Sequence, residues 1–90
     1  MFGDMRPPPD AVQTYAWQTD EDGVPFRQFD CAPTRVAHIM LYVTGRQFDD
    51  GGTERRITVI ADGFHTLTPE QTRQLASALS ATADKAEALG

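Results

Sequence analysis

The run from Leu67 to Leu89 limits the folds open to this chain more than any other stretch, because it is the clearest helix in the sequence. Thr68 suits the N-cap, where its hydroxyl accepts from a backbone N–H that has no intrahelical partner. Pro69 fits the first helical position, where no N–H is needed. Gln71, three residues on, completes a capping box, and Glu70 sets negative charge at the positive end of the helix dipole. Leu75, Leu79, Ala83 and Ala86 then recur at helical spacing and make one apolar stripe. Neither glycine nor proline interrupts Glu70 to Leu89, and Gly90 follows as a stop. Arg73, Ser77, Ser80, Asp84, Lys85 and Glu87 form the polar face. Ala78, Ala81 and Ala88 run beside the apolar stripe. Their plain account is alanine's helix preference; their functional account is a helix–helix contact in an oligomer.

A helix with one apolar stripe needs a surface to cover, and the preceding residues read as a sheet. From Val36 to Phe48, Ala37, Ile39, Leu41 and Val43 share one apolar face, while Val36, His38, Met40, Tyr42, Thr44 and Arg46 share a mixed one. Asp49-Asp50-Gly51-Gly52-Thr53 is a turn, and Glu54 to Ala61 returns. A five-residue loop places Gly45 with Ile57, Val43 with Val59 and Leu41 with Ala61 on the apolar face. It places Arg46 with Arg56, Thr44 with Thr58 and Tyr42 with Ile60 on the other. A one-residue slip mixes the faces, so the pattern allows this register or one shifted by two. Upstream, Val12 to Gln18 reads as a strand and Thr19 to Gly23 as a turn. Pro25 demotes Val24 to Phe29 to an edge strand or irregular chain. Cys31 to Thr34 is a connection. Asp62-Gly63 is a two-residue hairpin turn leading to a short strand, Phe64 to Thr66. The expected fold class is α+β: a small antiparallel sheet of three to five strands covered on one face by a single C-terminal helix. Residues 1–10, with Pro7-Pro8-Pro9, are expected to form a Pro-rich arm, and residues 11–90 a single domain.

Asp62-Gly63, Leu67-Thr68-Pro69-Glu70-Gln71, Arg73-Gln74-Leu75-Ala76-Ser77-Ala78-Leu79 and Ala83-Asp84-Lys85-Ala86-Glu87 together resemble the ending of a family of small uncharacterised proteins from actinobacteria and their phages. Those proteins commonly close with a strand, a short turn and a helix of the form LTPxxARxLAxALxxAADxAE. The resemblance covers about the last third of the chain, and Thr72 departs from it where alanine is usual. It implies a source and a fold, and it carries over no activity and no catalytic residue.

Ninety residues hold one modest core. The net charge of −5 disfavours general affinity for nucleic-acid phosphates. Four arginines nevertheless fall between residues 35 and 61, against three acids. The lone cysteine permits no intrachain disulfide and suggests a reducing compartment. No basic-then-apolar leader opens the sequence and no apolar run nears a membrane span, so the expected location is cytoplasmic. Cys31, His38 and His65 match no zinc spacing. The acids Asp20, Glu21, Asp22 and Asp30 lack the register of a calcium loop, and Gly51-Gly52 lacks the surroundings of a phosphate loop. These observations point away from an enzyme and imply no cofactor and no metal.

Two roles remain. One is a protein-binding or self-associating module, acting as a phage or accessory factor on a host protein. Its contact residues are Met40, Tyr42, Arg46, Arg56 and Ile60 on the mixed face. One helix covers one face only, so a homodimer is expected unless Tyr15, Trp17, Phe26 and Phe29 fold over the other. The alternative is a nucleic-acid binder using Arg35, Arg46, Arg55 and Arg56 on a β-ribbon, although Asp49, Asp50 and Glu54 at the same hairpin end oppose phosphate.

Overall fold

A computed structural model describes residues 5–89. Six strands precede one helix: β1 Ala11–Thr14, β2 Gln18–Thr19, β3 Pro25–Cys31, β4 Thr34–Val36, β5 Ile39–Phe48, β6 Thr53–Ile60 and α1 Pro69–Ala88. Every pairing is antiparallel. β1 and β2 lie end to end along the outer edge of β3; β3 and β4 lie end to end along one edge of β5; β6 takes the other edge. The sheet is therefore a four-row meander with the helix appended. The class expected from the sequence, α+β with one C-terminal helix, is the one observed.

Four strand assignments differ from the sequence reading. The strand expected from Val12 to Gln18 is two pieces, β1 and β2, because residues 15–17 leave the edge of β3. Pro25 to Cys31 is a central strand, with β1 and β2 on one side and β5 on the other. Pro25 is its first residue, a position proline tolerates, so the ring does not demote the strand. The long strand expected from Val36 to Phe48 is split by a tight turn at Ala37-His38, with Ala37 at φ 53°. No glycine or asparagine marks that turn, and a β-pattern runs straight through it. Asp62-Gly63 does not start a hairpin: Gly63 has φ +64°, but residues 61–68 contain no strand, and Phe64 is fully exposed.

The β5–β6 register is the one shifted by two. The loop tightens to three residues, 49–51, because the Phe48 N–H donates to the Gly52 carbonyl at 2.8 Å. Asp50 Oδ1 accepts the Gly52 N–H, and Gly51 takes φ +88°. Met40 then faces Ile60, Leu41 faces Val59, Tyr42 faces Thr58, Val43 faces Ile57, Thr44 faces Arg56 and Arg46 faces Glu54. The expected Arg46–Arg56 pair does not form. The shift puts an acid opposite Arg46 and removes a like-charge cross-strand contact.

Opposed residues share a face, so the register sorts the side chains. On the helix side Phe29, Cys31 and Val43 form the core cluster, with Ala11 and Ala86 packed on it. Leu41 is also fully buried. Phe29 lies against Gly45, where a Cβ would sit 2.7 Å from the ring and 2.2 Å from the Glu54 carbonyl oxygen. Only glycine permits that approach. The capping box forms as read: Thr68 Oγ1 accepts from the Gln71 N–H, and Gln71 Oε1 accepts from the Thr68 N–H. Leu75, Leu79, Ala83 and Ala86 are only half-buried. The buried helix residue is Thr82, whose hydroxyl donates to the Ala78 carbonyl at 2.7 Å. Val59, expected beneath the helix, is 51% exposed near the end of the edge strand.

Met5 to Asp10 is part of this side of the sheet. Pro8 is buried, the Met5 carbonyl accepts from Arg27, and the Arg6 carbonyl accepts from Gln47. Met1 to Asp4, the start of the expected arm, lie outside the described residues.

Candidate contact surface on the open sheet face

The two arginines at the centre of β6 point to opposite faces and behave oppositely. Arg55 is on the helix side with its side chain 3% exposed. Its Nε and Nη2 donate to the two carboxylate oxygens of Asp10 at 3.1 and 2.8 Å. Nη1 donates to the Leu89 carbonyl at the helix end and to Thr53 Oγ1. The guanidinium lies 5.3 Å from the centre of the Phe29 ring. One side chain thus joins the N-terminal arm, the edge strand, the core and the C-terminus of α1. Burying a charge is costly unless its donors are satisfied, and the fork of Arg55 meets carboxylate, carbonyl and hydroxyl. The guanidinium holds the Asp10 carboxyl below its usual range despite partial burial. The Cys31 thiol donates to the same carboxylate; burial first, then that bond, push its pKa up to about 12. A thiol so held is neutral and is a poor nucleophile.

Arg56 is exposed on the opposite face. The surface there is laid out by strand parity. Along β5 come Met40, Tyr42, Thr44, Arg46 and Phe48; along β6 come Ile60, Thr58, Arg56 and Glu54; along β3 come Asp30, Gln28 and Phe26. Met40 and Ile60 are direct cross-strand partners, with Met40 half-buried and Ile60 39% exposed. Half-buried Tyr42 sits next to them. All five contact residues expected from the sequence therefore lie on this one face, although Arg46 and Arg56 do not pair.

Arg46 has structural work on that face. Its Nη2 donates to Glu54 Oε1 at 2.8 Å, and its guanidinium lies 5.2 Å from the Phe26 ring centre and 5.7 Å from that of Phe48. Phe26 is 7% exposed beneath this cover. Of the other aromatic residues proposed to close the face, Phe29 belongs to the helix side. Trp17 lies beside Arg27, 5.1 Å from the guanidinium. Tyr15 reaches the open face, where its hydroxyl donates to Asp30; that bond raises the Tyr15 pKa. Among the described residues no segment covers the face.

A groove of about 500 Å³ lies there, lined by Gln28, Asp30, Thr44, Arg46, Arg56 and Thr58 among others. Gln28, Asp30, Thr44 and Thr58 were not among the sequence candidates. The Thr44 and Thr58 hydroxyls bond each other at 3.1 Å across the strands. Reading β3 as central would have supplied its two residues from alternation alone. For nucleic acid, the four arginines reduce to two: Arg55 is buried on Asp10 and Arg46 is paired to Glu54, leaving Arg35 and Arg56 exposed. Among the described residues, no three His, Cys, Asp or Glu side chains gather as a metal site, and no helix is long and apolar enough to cross a membrane. Compared with known proteins, the chain matches no family model, no curated protein and no solved structure.

Proposed function

We propose that this chain is a small non-catalytic contact module, and that the open sheet face is where it meets a protein partner. The observation that carries the reading is the side-by-side placement of half-exposed Met40, Tyr42 and Ile60 with exposed Arg56 on a face that no described segment covers. Apolar side chains rimmed by charge are the usual composition of such contacts. Met40 and Tyr42 supply apolar and aromatic area. Arg56 supplies a guanidinium fork suited to a carboxylate. The resemblance of the C-terminal helix to small actinobacterial and actinophage proteins favours an accessory factor acting on a host protein.

The test compares wild type with a Met40→Ser/Tyr42→Ser variant, both immobilised and challenged with extract. The reading expects a protein retained by wild type and lost by the variant, with circular dichroism unchanged. An identical set of retained proteins contradicts it.

A further inference from the structure

The two edges of the sheet are built differently. The β1–β2 edge is broken: its register shifts between Ala11 and Gln13, residues 15–17 leave the strand, and β2 has two residues. Short, bulged edge strands are how proteins discourage pairing with another chain. β6 is neither short nor bulged, and its inward charge, Arg55, is paired with Asp10 within the chain. Its eight residues pair with β5 without a bulge, and it contains no proline, glycine or lysine. The Phe48–Gly52 hydrogen bond sets the phase of the ladder. Bonded pairs recur at every second residue, so Glu54, Arg56, Thr58 and Ile60 turn their backbone groups to β5. Thr53, Arg55, Ile57 and Val59 present theirs outward. Among the described residues no backbone hydrogen bond reaches that edge.

We propose that β6 pairs antiparallel with β6 of a second copy of this chain, about a two-fold axis at Val59. A row of outward donors and acceptors calls for a β-strand, and the sequence of β6 complements itself. Antiparallel identical strands are related by an axis perpendicular to the sheet, so equivalent faces fall side by side. Centring on Val59 sets Thr58 against Ile60 within β6 and, just beyond its end, Ile57 against Ala61 of the other copy. It also sets Arg56 against Asp62, twice, so the pairing extends each strand two residues past Ile60. Centring on Arg56 instead would oppose two arginines, which is destabilising. The chosen register covers Val59 and Ile60, which are 51% and 39% exposed. The product is one continuous sheet with both helices on one side and two open faces adjoining on the other. This goes beyond the proposed contact role, because it uses the edge and not the face.

Sedimentation equilibrium over a concentration series tests it on the full chain. The wild type self-associates. Val59→Pro removes the N–H at the axis from both copies and leaves the β5 ladder intact, so the dissociation constant rises about 30-fold. Val59→Lys, which tolerates the exposed position, does the same and decides the matter if the proline variant fails to fold. Arg56→Asp weakens association, and adding Asp62→Arg restores it. Tyr42→Ser changes nothing here, which separates this test from that of the open face. A wild type monomeric at its highest soluble concentration overturns the proposal, as do folded Val59 variants that associate normally. Failure of the charge swap to rescue overturns the Val59-centred register. Dissociation by Tyr42→Ser, with the Val59 variants unaffected, overturns edge pairing in favour of face-to-face assembly.

Discussion

The two sides of this sheet solve the problem of exposed backbone and side chains in contrasting ways. On the helix side, Phe29 and Leu41 are fully buried, and a satisfied guanidinium, Arg55, ties together elements distant in sequence. On the open side, the shielding is local: Arg46 lies over Phe26 and Phe48, and the remaining side chains stay half-exposed. Burial stabilises, and half-exposed apolar groups are available for contact. Under the proposed contact role, stability falls to one face and recognition to the other. Substitutions on the two sides should separate accordingly.

The largest effect is expected at Phe29. Phe29→Ala empties the centre of the core and should cost about 3–5 kcal/mol, seen as a lowered midpoint in urea. Gly45→Ala attacks the same packing from the strand. Its methyl would meet the Phe29 ring and the Glu54 carbonyl, so about 1–3 kcal/mol is expected from overpacking. A tolerated alanine there would mean that Phe29 is free to move aside. Asp10→Asn leaves Arg55 without its carboxylate and should cost about 1–3 kcal/mol at neutral pH. It should also change the acid limb. The Asp10 carboxyl is lowered from 3.8 in the folded protein, so its contribution is full above that value. It is lost as pH falls through the lower, folded-state pKa. The variant's stability should therefore fall less steeply below about pH 4 than that of wild type. The smallest effect is on the open face, where Arg46→Ala removes a partly exposed ion pair and a cation–π contact for about 1 kcal/mol.

The helix was legible because its signals are local: Thr68, Pro69 and Gln71 specify a cap within four residues. The membership of the open face was legible because alternation survives a two-residue slip, so Met40, Tyr42, Arg46, Arg56 and Ile60 remain together in either register. The partners were not legible. Arg46 meets Glu54 and not Arg56 because the loop closes at Gly52, and pattern does not encode loop length. The turn at Ala37-His38 relies on a positive φ in a residue that seldom adopts one. Arg55 shares alternation with Ile57 and Val59, which hinted at an inward position. Its carboxylate, however, lies in the arm, 45 residues earlier. Such a pairing is fixed by tertiary structure, and the arm's prolines suggested a separate segment.

Arg55 and Arg56 are sequence neighbours of identical chemistry on opposite faces, and they offer the most direct test of the division. Urea unfolding of Arg55→Met and Arg56→Met, measured in parallel at neutral pH, isolates the face as the variable. Arg55→Met strands the Asp10 carboxylate and frees the helix end, and should lose about 3–5 kcal/mol. Arg56→Met should stay within about 0.5 kcal/mol of wild type. Equal losses, or a greater loss at Arg56, would contradict the assignment of stability to the helix side.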